Sequence, residues 1–425
     1  LHKEYRRQRQ MCIRDRCHIL SNSRFLGDAL NKSVESVTWL GSDNDLQPRS
    51  RESLDVQTHA SLERNAGSIN DFANSIRAMR RHEIERIGLG WMSGVIDDKA
   101  SLAGMTDVYD TAIDASLTWA IRHQTQEMGL DEAPAAIAVI GMGRYGGREV
   151  NFSSDADVII IYRPSDNADD NQANLFARKV QEDLRAILQG PTTLEPKIEL
   201  DMDLRPEGKN GPLVRSYASC EEYYRSWAST WEHQALLRAR YAAGDAALAE
   251  DFLMNVADPL RYPKIDLTEA QVAEIRKLKA RMEAERLPRG VRRDRHLKLG
   301  KGGLSDVEWT IQLLQLQHAG DNANLRVNGT MQALDELERR KLVSAGDAVV
   351  LRRAWWMCTA ARNGSYLWSG RVNQADILPD DTYSLGGLAV YLGYDANRGQ
   401  HFENDLLAVM RKARDVTERL FYGLS

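Results

Sequence analysis

Cysteine and long hydrophobic runs are both scarce in this sequence. Its 425 residues include only four cysteines, Cys12, Cys17, Cys220 and Cys358, too few and too scattered for a disulfide framework. The spacing Cys12-x4-Cys17-His18 has no second pair to complete a zinc site, so we attribute it to coincidence. No apolar run reaches the roughly 18 residues of a membrane span, and no hydrophobic signal segment follows the basic N-terminus. We therefore expect a cytoplasmic protein with no membrane partner.

An excess of positive charge is also lacking. The 56 Lys and Arg residues face 61 Asp and Glu residues, and the formal net charge is -5. This balance excludes the domain-wide basic surface of a nucleic-acid-binding protein. The expected partners are a small anion and another protein, and the length predicts two or three domains.

The most informative stretch covers residues 135–164. Apolar runs at 136–140 and 158–162 predict two strands, and the glycine- and serine-rich turn between them carries Asp155 and Asp157. Residues two apart in a strand share one face, so both carboxylates point the same way. This arrangement can hold a divalent metal against a triphosphate. The alternative is a turn with solvated aspartates.

Residues 141–146 match G-x-G-x-x-G, the dinucleotide-binding fingerprint. That fingerprint requires a crossover helix and an acidic residue about 20 positions later. Here the next strand begins near Asp157, too early for a parallel crossover, so an oxidoreductase is only a distant alternative. The glycines instead allow backbone amides to approach an anion. Glycines, then Ser153 and Ser154, then D-x-D and an apolar strand predict a nucleotidyltransferase palm.

A second strand is predicted at residues 198–204, where apolar and acidic residues alternate strictly. The polar face carries Glu199, Asp201, Asp203 and Arg205. A two-metal site needs a third carboxylate from a neighbouring strand, and this face offers three candidates. The alternative is an exposed edge strand with solvated acids.

Helical spacing dominates the rest of the chain, and we predict only helices after Pro206. A stripe of Trp227, Trp231, Ala235 and Leu236 predicts a helix within residues 223–242. Other predicted helices cover residues 62–89, 102–128, 174–188, 271–285, 304–319, 330–341, 345–362, 385–392 and 401–422.

The segment 289–308 is basic and then glycine-rich. Its basic loop either is solvated or faces a triphosphate or an acidic partner. Ser305 and Glu308 have capping-box spacing. Backbone amides at that helix start, with Lys298 and Lys301 nearby, would suit a phosphate.

Four motifs together resemble those of bacterial glutamine synthetase adenylyltransferase. They are G-M-G-R-Y-G-G-R-E-V-N-F-S-S-D-A-D-V (141–158), L-D-M-D-L-R-P-E-G (200–208), T-W-E-H-Q-A-L-L-R-A-R (230–240) and L-K-L-G-K-G-G-L-S-D-V-E-W (297–309). That family is a duplicated bifunctional enzyme: one half attaches AMP to a tyrosine of glutamine synthetase, and the other removes it by phosphorolysis. This chain is long enough for one half, and the resemblance runs from about Arg24 to the end. The third and fourth motifs are similar to the C-terminal, AMP-attaching half of actinobacterial members.

The resemblance implies an α+β fold, with a DNA polymerase β-like nucleotidyltransferase palm built on a small mixed sheet. We expect a helical N-terminal region at 21–130, the palm and following helices at 131–260, and a C-terminal helical bundle at 261–425. Residues 1–20 look like non-native adapter sequence and are excluded.

The resemblance also implies site residues, a cofactor and partners. Asp155, Asp157 and Asp201 would be both catalytic residues and ligands of Mg²⁺ in a two-metal site, with ATP as substrate. The expected nucleotide-binding residues are Gly141, Gly143, Ser153, Ser154, Arg205 and Lys298. Glutamine synthetase would be the protein substrate, with glutamine and the P-II signal protein as regulators. Two alternatives remain: phosphorolytic removal of AMP, and a non-catalytic module that binds nucleotide and P-II.

Overall fold

The computed structural model describes residues 21–191, 195–287 and 290–424. It confirms a mixed α+β protein, mostly helical, with one small mixed sheet. The basic segment 1–20, with its Cys12, Cys17 and His18 pattern, lies outside the described residues, as does Arg289 of the basic loop. Within the described ranges no helix is long and apolar enough to cross a membrane.

Helices α1 to α4 precede the first strand, and each begins after a serine or aspartate whose side chain accepts a hydrogen bond from a first-turn amide. They are α1 (Arg24–Lys32), α2 (Arg51–Arg64), α3 (Ile69–Met92) and α4 (Asp98–Glu127). Most of α2 was not predicted. Its inward face includes Thr58 and Ser61 beside Leu54 and Leu62, so its apolar periodicity is weak.

The sheet contains both antiparallel and parallel pairs. Its strands are β1 (Ala135–Gly141), β2 (Ala156–Pro164), β3 (Leu200–Asp201), β4 (Val214–Ser216) and β5 (Arg240–Gly244). β1 lies between β2 and β5 and is antiparallel to both. β3 and β4 pair with the other edge of β2, both parallel to it. β3 pairs with the start of β2, and β4 pairs with residues 160–162.

The β1–β2 pairing decides the meaning of the glycine motif. The two strands are antiparallel, with Gly141 opposite Val158, and only one helical turn, α5 (Gly143–Gly146), begins between them. A dinucleotide-binding unit requires parallel strands joined by a crossover helix. The rejection of that interpretation is therefore confirmed.

Both faces of the sheet are buried, which explains the unbroken apolar runs. Ile137 and Val139 pack with α4 and with α6 (Asp170–Gln189), while Ala138 and Ile140 point to the opposite face. That opposite face is covered by α7 (Tyr217–Ser226), α8 (Thr230–Leu236) and α9 (Ala246–Phe252). The end of β2 that carries the two aspartates is thus held from both sides.

Three details of the predicted elements are wrong. The chain after Pro206 is not all helical, because it contributes β4 and β5. The predicted helix at 223–242 is interrupted, and Trp227 is 76% exposed rather than part of a buried stripe. The strand predicted at 198–204 forms only Leu200–Asp201, because the chain turns where the Asp203 amide bonds the Asp201 carboxylate at 2.7 Å.

The rest of the described chain is helical. Its α-helices are α10 (Asp258–Arg261), α11 (Glu269–Glu285), α12 (Leu304–His318), α13 (Thr330–Arg339), α14 (Ala345–Ser369), α15 (Val372–Ala375), α16 (Thr382–Tyr391) and α17 (Gly399–Leu420). Short 3₁₀ turns lie at Val34–Gly41, Gly208–Asn210, Arg293–Arg295, Ala323–Leu325 and Ala396–Arg398, and a π-helical turn at Leu253–Ala257.

Buried polar contacts join this helical region to the sheet. Glu149 accepts hydrogen bonds from the amide of Thr330 at 2.5 Å and from its hydroxyl at 2.8 Å. Arg238, just before β5, pairs with Glu149 at 3.5 Å and also contacts Thr330. Arg238, the first of the two arginines of the T-W-E-H-Q-A-L-L-R-A-R motif, therefore stabilises the contact between the sheet and the helical region.

Candidate active site

Three carboxylates lie where β2 and β3 begin their parallel pairing. Asp155 is exposed just before β2, Asp157 is partly buried within it, and Asp201 on β3 is directly opposite Asp157 in the register. Asp155 and Asp201 line an open cleft of about 560 Å³. The third carboxylate therefore comes from the neighbouring strand, as the sequence indicated.

The glycine motif lies against the innermost carboxylate. Gly143 has a φ of +52°, and a Cβ atom built on it would lie 2.0 Å from Oδ2 of Asp157. The amide of Met142 donates to the Asp157 carbonyl at 2.8 Å. Glycine is required at position 143 both for its backbone angle and for the approach of the carboxylate.

The carboxylates perturb one another. Burial, followed by the charges of Asp155 and Asp201, raises the pKa of Asp157 to about 7, while Lys298 and Arg144 act in the opposite direction. Burial also raises the pKa of Asp201, with further contributions from Asp203 and Asp155. Negative charge is therefore concentrated here beyond what the protein alone neutralises, which is typical of functional sites.

The donor set suits a divalent cation, because carboxylate oxygens are the ligands that Mg²⁺ prefers. In residues 21–191, 195–287 and 290–424, however, no three His, Cys, Asp or Glu side chains converge closely enough to hold an ion as they stand. Asp201 is turned toward the Asp203 amide, and Asp157 toward Gly143. The metal site stays a prediction.

The predicted nucleotide-binding residues differ in whether their side chains already have hydrogen-bond partners within the protein. Arg205 was placed on the carboxylate face, but its buried guanidinium donates to the carbonyls of Met202, Lys209 and Gly211. It shapes the loop after β3 and also lines the cleft with Asp155 and Asp201, so a nucleotide contact of Arg205 stays a prediction. Lys298 is close enough to lower the pKa of Asp157.

Ser153 and Ser154 form a turn around one buried side chain. Both hydroxyls donate to Oδ1 of Asn151, at 3.1 and 2.9 Å. Gly141 ends β1, where an added Cβ would lie 3.2 Å from the Tyr145 ring. Phosphate contacts of these three predicted residues stay a prediction.

The start of α12 does not offer the predicted phosphate site. The amide of Gly302 donates to the buried carboxylate of Asp306 at 2.6 Å, and the amides of Leu304 and Ser305 bond the carbonyls of Leu297 and Lys298. The capping box is also wrong, because the helix begins after Gly303 and Ser305 caps nothing. These amides have no bond left for an anion.

Glu308 instead pairs with an arginine that the sequence did not single out. Arg144, inside the glycine motif, contacts Oε1 of Glu308 at 2.5 Å. Arg362 on α14 pairs with Asp376 and reaches the hydroxyl of Ser153 at 3.4 Å. The helix that carries Arg362 is far from Ser153 in sequence, and its apolar spacing predicts only a core helix. No local signal in the sequence therefore identifies Arg362.

Replacing Gly143 with alanine is expected to lower the free energy of unfolding by at least about 2 kcal/mol, since the new methyl group meets Asp157 and the backbone angle is unfavourable. The matched control is Gly67→Ala, where no atom lies within 4 Å of the added Cβ. We expect that control to stay within about 0.5 kcal/mol. Urea unfolding of both variants measures the difference, and equal stabilities would contradict the observed contact.

Fold and site together define an α+β protein with a carboxylate cluster at the edge of a small mixed sheet, flanked by helices. Residues 14–255 match the family described as glutamate-ammonia ligase adenylyltransferase, and this chain belongs to that family. The family expected from the four motifs is thereby confirmed, and the match begins earlier than Arg24. Residues 273–421 match a second family, described as GlnD PII-uridylyltransferase.

Curated relatives share one name, bifunctional glutamine synthetase adenylyltransferase/adenylyl-removing enzyme. The protein from Bifidobacterium longum (strain DJO10A) is 79% identical over 407 residues, which are 96% of this chain and 38% of the relative. That from Leifsonia xyli subsp. xyli is 42% identical over 95% of this chain and 39% of the relative. That from Mycobacterium marinum is 40% identical over 95% of this chain and 40% of the relative. The chain therefore spans about two fifths of these relatives.

Proposed function

We propose that this chain transfers AMP from ATP to a tyrosine of glutamine synthetase and thereby lowers its activity in nitrogen regulation. The observation that carries the proposal is the carboxylate cluster, in which Asp157 on β2 is the register partner of Asp201 on the adjacent strand β3 and follows Asp155 by two residues. The relatives' name supports glutamine synthetase as the acceptor. The palm identity of the sheet is part of the same proposal.

Asp155, Asp157 and Asp201 are the residues that would hold Mg²⁺. When bound, the metal neutralises triphosphate charge and makes the α-phosphorus easier to attack. The unusual pKa of Asp157 supports this role, because a site built for cations concentrates negative charge that is unfavourable without them.

The chain's own groups would supply position and charge. The open cleft admits ATP beside Asp155 and Asp201. Asp201 would accept the phenolic proton of the target tyrosine, since it lines the cleft beside Asp155. Lys298 would contribute positive charge beside Asp157. Attack is in line, with pyrophosphate leaving.

Removal of AMP by phosphorolysis is the second candidate, since the relatives' name includes both activities. Attachment is favoured by the T-W-E-H-Q-A-L-L-R-A-R and L-K-L-G-K-G-G-L-S-D-V-E-W motifs, which resemble the attaching half. A non-catalytic module that binds nucleotide and P-II has no need for three neighbouring carboxylates. Regulation by glutamine and P-II belongs to the proposed whole protein.

The direct test is mass spectrometry of unmodified glutamine synthetase after incubation with this chain, ATP and Mg²⁺. We expect a gain of one AMP on a tyrosine. The gain should be absent with Asp155→Asn and present with Asp166→Asn, which removes an exposed carboxylate from the loop after β2. Nucleotide binding without any AMP transfer would favour the non-catalytic module.

A further inference from the structure

Two arginines with little solvent exposure, Arg144 and Arg362, lie beside the carboxylate cluster and have N–H groups for which no described residue is an acceptor. The side chain of Arg144 is 10% exposed and Arg362 is 4% exposed. Among the described residues, Nε and Nη1 of Arg144 and Nη1 of Arg362 have no hydrogen-bond partner. An unpaired buried donor is costly, so three of them close together indicate an acceptor that the described residues do not provide.

The two guanidinium groups are close enough to repel. Burial lowers the pKa of Arg362; the Asp376 carboxylate opposes that shift, whereas the charge of Arg144 lowers the pKa further. Each arginine has one carboxylate partner, Glu308 for Arg144 and Asp376 for Arg362. A guanidinium group can bind a carboxylate through two parallel N–H groups. If ion pairing alone explained the two arginines, each would use both of these N–H groups for its carboxylate. Here each guanidinium uses only some of its N–H groups.

Both arginines are attached to chain segments next to the carboxylates. Arg144 directly follows Gly143, which contacts Asp157. Arg362 reaches the hydroxyl of Ser153, two residues before Asp155. An anion held by both arginines would therefore lie beside the atoms that the carboxylates are proposed to serve. An oxygen-rich anion with several charges, such as a polyphosphate, can accept hydrogen bonds from the remaining N–H groups of both arginines.

We propose that Arg144 and Arg362 bind the β- and γ-phosphates of the nucleotide, the group that leaves as pyrophosphate. The inference rests on the proposed AMP transfer. In that step the tyrosine oxygen forms a bond to the α-phosphorus, and the bond from the α-phosphorus to the bridging oxygen of the β-phosphate breaks. The phenolic proton passes to Asp201, and the electron pair of the broken bond stays on pyrophosphate. Guanidinium N–H groups stabilise that developing charge.

The inference also assigns a role to the helical region. Arg362 lies on α14, far in sequence from the β1–β2 motif. Polyphosphate would then be bound only when α14 is docked beside Ser153. Neither the sheet nor the helices alone would form the complete anion site.

The test is isothermal titration of inorganic pyrophosphate, with Mg²⁺, into the wild type and into Arg144→Lys and Arg362→Lys. Lysine keeps the charge and can still pair with Glu308 or Asp376, but it lacks the planar set of N–H groups that arginine has. We expect pyrophosphate affinity to fall about tenfold or more in each variant, with AMP affinity changed less than about twofold. Arg122→Lys, at an exposed pair with Glu63, is the matched control and should not change either affinity.

Thermal melting curves show whether each variant is folded. If Arg362→Lys melts much earlier than the wild type, the double variant Arg362→Gln/Asp376→Asn removes both charges of the buried pair together, and it should still lose pyrophosphate affinity. Folded variants that bind pyrophosphate as well as the wild type, or a wild type that does not bind it, would overturn the inference. The titration needs no glutamine synthetase. Pyrophosphate binding through both arginines without AMP transfer would refute the proposed function alone, and AMP transfer with unaffected variants would refute this inference alone.

Discussion

Asp157→Asn is expected to abolish AMP transfer and, at the same time, to stabilise the fold above neutral pH. Loss of a metal-binding carboxylate removes several kcal/mol of transition-state stabilisation, so transfer should fall at least about 100-fold. Asp155→Asn should have a similar effect on transfer. Rates are measured as labelled AMP incorporated into glutamine synthetase. Transfer above about a tenth of the wild-type rate in either variant would mean that the residue is not a metal ligand.

The stability effect follows from the pKa of Asp157, which burial and the neighbouring carboxylates raise from 3.8 to about 7. The folded state therefore binds a proton that the unfolded state has already released, and the stability of the wild type falls as pH rises from about 4 to about 7. Asparagine does not titrate. The melting temperature of the variant relative to the wild type should rise across this window and stay constant above it.

Melting curves must be recorded with a chelator, because a bound cation would lower the pKa of Asp157 and mask the effect. Asp166→Asn is the matched control, since it removes an exposed carboxylate on the same segment of chain. It should show no such pH dependence. A melting difference for Asp157→Asn that is independent of pH would contradict the buried, electrostatically crowded position of this side chain.

Adenylylated glutamine synthetase is expected to lose its AMP readily to pyrophosphate, giving ATP, and only poorly to orthophosphate, which would give ADP. The reason is microscopic reversibility, because an attaching site that releases pyrophosphate must also accept it in reverse. We expect a difference of at least about tenfold in initial rate at equal anion concentration, corresponding to about 1.4 kcal/mol. Each anion is offered separately, and the nucleotide product is identified by chromatography.

Robust ADP formation by this chain alone would contradict attachment and support phosphorolysis. The proposed roles of Asp155, Asp157 and Asp201 would be unchanged. The control reaction uses Asp155→Asn, which should form neither nucleotide. Both directions depend on the same carboxylates, so only the identity of the product separates them.

The part of the site that lies on neighbouring residues could be predicted from the sequence alone. Two apolar runs predicted β1 and β2, and the short spacing between them excluded a parallel crossover, as the antiparallel pairing confirms. The D-x-D spacing predicted Asp155 and Asp157 at the start of β2. Strict alternation around Asp201 predicted the neighbouring acidic strand. Each of these inferences depends on the period of two along a strand or on the length of a connection, and both can be read directly from the chain.

The sequence failed where a local pattern was compatible with two structures. The motif T-W-E-H-Q-A-L-L-R-A-R has helical spacing, yet its end becomes β5, because pairing with β1 satisfies that backbone. The spacing of Ser305 and Glu308 fits a capping box, yet Glu308 pairs with Arg144. In both cases a contact made in three dimensions outweighed a weak local preference.

The electrostatics of the site depend on the packing of the folded chain and could not be predicted from the sequence. Burial of Asp157 against Gly143 raises its pKa, and no spacing in the sequence encodes how deeply a strand residue is buried. Arg362 reaches Ser153 across 209 positions of sequence, and only the folded structure shows that its Nη1 group has no partner among the described residues. Charge interactions depend on distance and on access to water, and both quantities are set by packing rather than by order along the chain.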